Sequence, residues 1–161
     1  MLRVFYTRWR RAAMKAYKVY AINDGTVIDH IPATKALKVI DILELENEGI
    51  LTIGIGFSSQ KMGKKDIIKI ENKYLKKEES DKISLIAPGA TINIIKDGKL
   101  KEKRRIERPD EYLNIVKCLN PNCITQHSSI KTKFRVVKIS PLTLRCHYCE
   151  RTVEAGEVEI L

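Results

Sequence analysis

All four cysteines of the chain lie in its last 44 residues, as Cys118-x4-Cys123 and, 22 residues later, Cys146-x2-Cys149. Two close cysteine pairs separated by a β-prone segment match the spacing of a four-thiolate zinc ribbon. Each tight turn projects two sulfurs to one side, and two facing turns set four thiolates at tetrahedral corners, the geometry Zn2+ accepts. Four protein ligands close the coordination shell, leaving no position for a reacting water, so the role of one such ion is structural. Lys117, Arg145, His147 and Arg151 flank the ligands and soften the excess negative charge. Disulfides or a redox Cys-x-x-Cys are the competing readings. Neither a secretory signal nor a thioredoxin-like context supports them. His127 or His147 could replace a cysteine, but His147 stands between two ligands and is expected to point outward.

Other chemistry is sparse. The sequence contains no Gly-x-Ser-x-Gly, no phosphate-loop motif, no His-Glu-x-x-His and no kinase signature. Asp29-His30 is the best acid–base pair, yet neighbours on a strand point to opposite faces, so the two are not expected to act as one dyad. Basic residues are the remaining resource. Lys96, Lys99, Lys101, Lys103, Arg104, Arg105 and Arg108 form one group, and Lys61, Lys64, Lys65 and Lys69 another. Lysines on edge strands also serve solubility. As a binding feature they read as an anion site built from neighbouring strands. RNA recognition by a sheet needs exposed aromatics, and neither DIIKIEN nor TINII offers any.

These residues need a scaffold. With 161 residues, 43% hydrophobic and 31% charged, the composition is globular, and the formal net charge of +10 suits anionic partners. No apolar run approaches the ~20 residues of a membrane-spanning helix. Residues 1–16 read as a basic extension open to disorder, with Met14 as an alternative first residue. From there the pattern becomes regular. Lys18–Asn23 and Thr26–Ile31 flank Asp24-Gly25 and together make one interrupted strand. Ala36, Val39, Ile40 and Leu43 mark a helix that ends near Gly49. Leu51–Phe57 alternates as a strand, Ser58–Lys64 is a polar loop, and Asp66–Asn72 a strand. Glu78–Ile86 is helical, and Asp97-Gly98 turns Thr91–Ile95 into Leu100–Arg105.

This order predicts an α+β fold. A ferredoxin-like domain, an antiparallel sheet with two helices on one face, precedes a small all-β zinc-ribbon domain that begins near Pro109. Phe134–Ile139 and Val158–Leu161 are strand-like pieces of that second unit. It buries too little core to stand alone and is expected to fold on its metal.

Four blocks now occur in one order: Gly25-Thr26-Val27-Ile28-Asp29-His30-Ile31-Pro32, Met62-Gly63-Lys64-Lys65-Asp66-Ile67-Ile68-Lys69-Ile70-Glu71-Asn72, Ala87-Pro88-Gly89-Ala90-Thr91-Ile92-Asn93, and the cysteine tail ending Cys149-Glu150. Together they resemble the regulatory chains of aspartate carbamoyltransferase, from about Tyr17 to the end. The resemblance implies a non-catalytic, cytoplasmic subunit that controls the committed step of pyrimidine biosynthesis. It implies a nucleotide-effector domain over residues 17–108 that binds CTP and ATP, with UTP a further candidate. It also implies a homodimer through that domain, and a zinc domain over residues 109–161 docking on the catalytic chain.

Carried onto matching positions, Val19, Tyr20 and Ile22 lie near the base and Asp29 near the base or ribose. Lys69 approaches the ribose, Asn93, Ile95 and Leu100 line the pocket, Lys103 meets the triphosphate, and His30 lies near the phosphates. The zinc ligands are Cys118, Cys123, Cys146 and Cys149, and Asn120, Asn122 and Glu150 belong to the catalytic-chain interface. Neither a membrane nor nucleic acid is expected as a partner. The rival reading is an RNA-binding zinc-ribbon protein of translation or transcription, supported by the basic charge and the ribbon itself.

Overall fold

The computed structural model describes residues 20–161. The expected basic extension, Val19, and the start of the first expected strand lie outside the described residues.

The first unit is one sheet with helices on one face. Its elements are β1 (Gly25–Pro32), α1 (Ala36–Ile42), β2 (Leu51–Ser59), β3 (Gly63–Glu71), α2 (Lys77–Ile86), β4 (Thr91–Lys96) and β5 (Lys99–Arg105). The spatial order β2-β3-β1-β4-β5 is antiparallel throughout. This is the expected ferredoxin-like arrangement with one added edge strand. Alternation assigns the faces: Ile28, Ile68 and Ile92 are opposite one another in the ladder and fully buried beneath the helices, with Val39, Leu45 and Ile83.

Residues 20–24, the described part of the expected first strand half (Lys18–Asn23) and the start of its turn signal, form no strand. Their backbone is engaged elsewhere: Asp24 O accepts from Asn72 N at 3.0 Å and Asn23 O from Gly98 N at 2.8 Å. The strand starts at Gly25, whose φ of 134° and close approach to β3 suit glycine; a Cβ there would stand 2.1 Å from Ile70 O. The polar loop shrinks to residues 60–62, because β2 and β3 continue pairing to Ser59 and Gly63. Asp97 and Gly98, with φ of 51° and 67°, make the expected two-residue hairpin turn.

Asp66 is fully buried, and its carboxylate accepts from Ala36 N at 3.2 Å and Gly56 N at 2.9 Å. One acid thus caps the start of α1 and pins the register shift in β2 between Gly54 and Phe57.

The second unit is a four-stranded antiparallel sheet, β6 (Glu111–Leu113), β7 (Lys133–Ile139), β8 (Leu142–Cys146) and β9 (Thr152–Glu154), with the single-turn helix α3 (Ile124–His127). Val158–Leu161, expected as a strand, contributes only the bridge Ile160–Val116. Its core gathers Tyr112, Phe134, Leu144 and Val116 around three buried cysteines, and Leu85 of α2 joins them from the first unit.

Candidate metal centre and nucleotide face

Two turns converge to build the metal centre. Cys118 follows the Val116 bridge and Cys123 precedes α3, while Cys146 ends β8 and Cys149 closes the next turn. The four Sγ atoms lie within 4.8 Å of one another. Cys118 Sγ stands 3.6 Å from Cys149 Sγ, and Cys123 Sγ 3.9 Å from Cys146 Sγ. Tetrahedral zinc with Zn–S bonds of ~2.3 Å needs sulfurs about 3.8 Å apart, so the constellation fits a structural zinc site. It is far too wide for disulfides.

Burial, against a bond from Asn120, pushes the Cys118 thiol up to about 12, and burial also raises Cys146. For Cys149 burial acts upward, but Asn120, the Arg151 backbone and the neighbouring sulfurs outweigh it and bring the thiol down to about 6. Thiols poised so differently release protons when a metal binds. His147 is exposed, as expected from its place between two ligands.

The three residues expected at an interface divide. Asn122 and Glu150 are exposed, the latter at a positive φ of 58°. Asn120 is buried and turns inward, its Oδ1 accepting from Asn122 N at 3.2 Å and its O from Cys123 N at 3.0 Å. It shapes the turn between the first two ligands. Leu119, Ile124 and Tyr148, each next to a cysteine ligand in sequence, are exposed apolar residues.

The sheet face opposite the helices carries the remaining residues. Val27 is opposite Lys69 on one side and Asn93 on the other, and Asn93 is opposite Lys103. Partners in an antiparallel ladder share a face. Lys69, Val27, Asn93 and Lys103 therefore form one row across β3-β1-β4-β5, about 14 Å long at the usual strand spacing. Ile95, opposite Leu100 and Gly25, lies one step along the same face, and Asp29, opposite Thr91, one step the other way. Burial holds the Lys69 ammonium below the ordinary lysine range, and its Nζ donates to Tyr20 O. Tyr20 is exposed and Ile22 buried.

Asp29 and His30 are closer than strand alternation allows. The β1–β3 register shifts between Ile28 and Ile31, and His30 has a φ of 59°. This irregularity brings His30 Nδ1 to 3.2 Å from Asp29 Oδ2, correcting the expectation that they face apart. Lys65, known from sequence only as one of a basic group, joins them with Nζ 2.7 Å from Asp29 Oδ1. The alternation of β3 alone does not disclose this pairing. Off this face, a groove of about 580 Å³ runs between α2 and β6, lined by Lys77, Asp81, Lys82, Glu111 and Leu113 among others.

The family model described as the aspartate carbamoyltransferase regulatory chain, allosteric domain, matches residues 17–107, and its metal binding domain counterpart residues 110–159. The chain is similar to an aspartate carbamoyltransferase regulatory chain of Thermococcus sibiricus, 54% identical over 145 residues, 90% of this chain and 97% of the relative. Regulatory chains of Pyrococcus abyssi (52% over 148 residues; 90% and 97%) and Methanocaldococcus jannaschii (51% over 138; 86% and 93%) are similar to it as well.

Proposed function

Because the chain belongs to the aspartate carbamoyltransferase regulatory-chain family, a family named for its regulatory rather than its catalytic subunit, we propose that it is an allosteric switch with two assignments. Residues 17–108 bind CTP and ATP in competition, with UTP a further candidate, and residues 109–161 dock on the catalytic chain.

The observation that carries the first assignment is the row Lys69–Val27–Asn93–Lys103 on the open sheet face. A nucleoside triphosphate laid along it meets an ammonium at each end and an amide between. Ile95 and Leu100 offer apolar contact to a base or sugar, and Asp29 and His30 complete the far side. Lys69 is already partly desolvated, so an anion above it recovers charge interaction that burial has cost. The edge strand β2, with Ile53 and Ile55 exposed, supports pairing of two copies through this unit.

Metal supports the second assignment by holding Asn122, Glu150 and the apolar residues Leu119 and Ile124 in one surface. When bound, zinc supplies rigidity and no catalysis, since all four of its positions are taken. A nucleotide changes catalysis only through unequal affinity for two quaternary states, typically by ~1–3 kcal/mol.

Calorimetric titration of the zinc-loaded chain with CTP, ATP and a short mixed-sequence RNA tests the reading. Saturable, mutually competitive nucleotide binding is expected, with no appreciable RNA affinity. Salt-sensitive RNA binding without a nucleotide site would overturn it in favour of a nucleic-acid-binding zinc ribbon.

A further inference from the structure

One helix belongs to both units. One side of α2 covers the first sheet, with Ile83 fully buried there, while Leu85 is buried in the core of the second unit and Ile86 packs against both. At this crossing the side chain of Tyr112, from β6, is fully buried and its Oη lies 2.9 Å from Ser84 Oγ, also fully buried. Ser84 Oγ donates its only proton to Asp81 O at 2.7 Å. Elimination then sets the direction: Tyr112 O–H donates to Ser84 Oγ, which donates to the helix backbone. The relay is directional, and it joins two fully buried side chains from different units.

The geometry points to Tyr112 as a positioning residue that fixes the placement of the metal unit against α2, and hence against the sheet carrying the candidate nucleotide row. It rests on the functional reading above and adds a route for it. An effector on the sheet and a catalytic chain on the metal unit are rigid-body partners only while this joint holds. The hydrophobic contact of Leu85 tolerates small sliding, whereas a buried hydrogen bond of defined direction has one best arrangement. Tyr112 lies outside the nucleotide row and is not one of the four metal ligands, so its effect is on transmission rather than on binding.

Removing the donor is the mild lesion. Tyr112→Phe leaves Ser84 still donating to Asp81 O, whereas Ser84→Ala strands the buried phenol without an acceptor. The test compares wild type, Tyr112→Phe and the double variant Ser84→Ala/Tyr112→Phe as full chains, alone and assembled with catalytic subunits. Two readouts are taken: amide exchange over residues 83–87 and 111–116, and the change in catalytic activity caused by CTP or ATP. With Tyr112→Phe, exchange in both segments is expected about tenfold faster. CTP affinity and assembly stay at wild-type levels, and the effector-induced change in activity falls roughly threefold. The double variant is expected to match Tyr112→Phe.

Wild-type exchange in Tyr112→Phe overturns the positioning role whatever the nucleotides do. Faster exchange with an undiminished effector response overturns the transmission role. If wild type itself binds no nucleotide, the functional reading fails, and the exchange data alone decide the joint.

Discussion

Cys118 and Cys149, 31 positions apart in sequence, meet with their sulfurs 3.6 Å apart. A shared ion suits four clustered, largely buried thiols, of which Cys118 is pushed up to about 12 chiefly by burial, with the neighbouring sulfurs adding to it. A strong chelator is therefore expected to unfold the second unit, with apparent metal free energies of order 10 kcal/mol at stake. Circular dichroism and melting followed during chelator titration check this. Cys118→Ser is expected to elute on gel filtration apart from the catalytic subunits, and a normal complex would refute the docking role.

At the edge of the proposed nucleotide row, Lys103→Ala removes an exposed ammonium from β5 without touching the core. The expected loss for one charged contact is about 1.5–3 kcal/mol, or tenfold or more in CTP affinity, with assembly unchanged. Calorimetry that finds equal affinity in wild type and variant would remove Lys103 from the site.

Asp66→Ala is expected to destabilise the first unit by roughly 2–3 kcal/mol, because the buried N–H of Ala36 and the part-buried N–H of Gly56 lose a charged acceptor. Urea unfolding of the zinc-loaded chain measures it. A change below half a kilocalorie, about the scale of an exposed substitution, would show that these donors find other partners.

Alkaline stability reports on Tyr112. Burial raises its phenol above the ordinary value of 10.0, only partly offset by the nearby Arg108. A folded-state value above the unfolded one means the native chain holds the proton longer. Its contribution is intact below about pH 10 and declines as pH rises towards the folded value. Melting temperature is expected to fall more steeply above pH 10 in wild type than in Tyr112→Phe. Parallel profiles would mean the phenol is solvated.

Much of this was legible in advance for local reasons. The alternation of Leu51–Phe57 placed β2 correctly, because side-chain direction on a strand follows from adjacent residues alone. The same rule failed at Asp29 and His30, where a register shift against β3, invisible in either strand by itself, brings them together. Residues 20–24 failed for a related cause. Their β-prone composition did not disclose that their carbonyls pair with Asn72 and Gly98 instead of a ladder.

What the sequence by itself determined is therefore short-ranged: the cysteine turns, the Asp97-Gly98 hairpin, the order of elements and the basic residues of β3 and β5. Turn geometry and strand pleat depend on a few neighbouring residues, so spacing suffices to read them. Only the tertiary structure decided that Asp66 serves both α1 and β2, that Asn120 faces inward, that Lys65 holds Asp29, and that Leu85 and Ser84 of α2 answer to Tyr112 of the second unit. Each depends on which distant backbone a side chain meets once the sheets are packed, and that is set by register and close packing, not by local pattern.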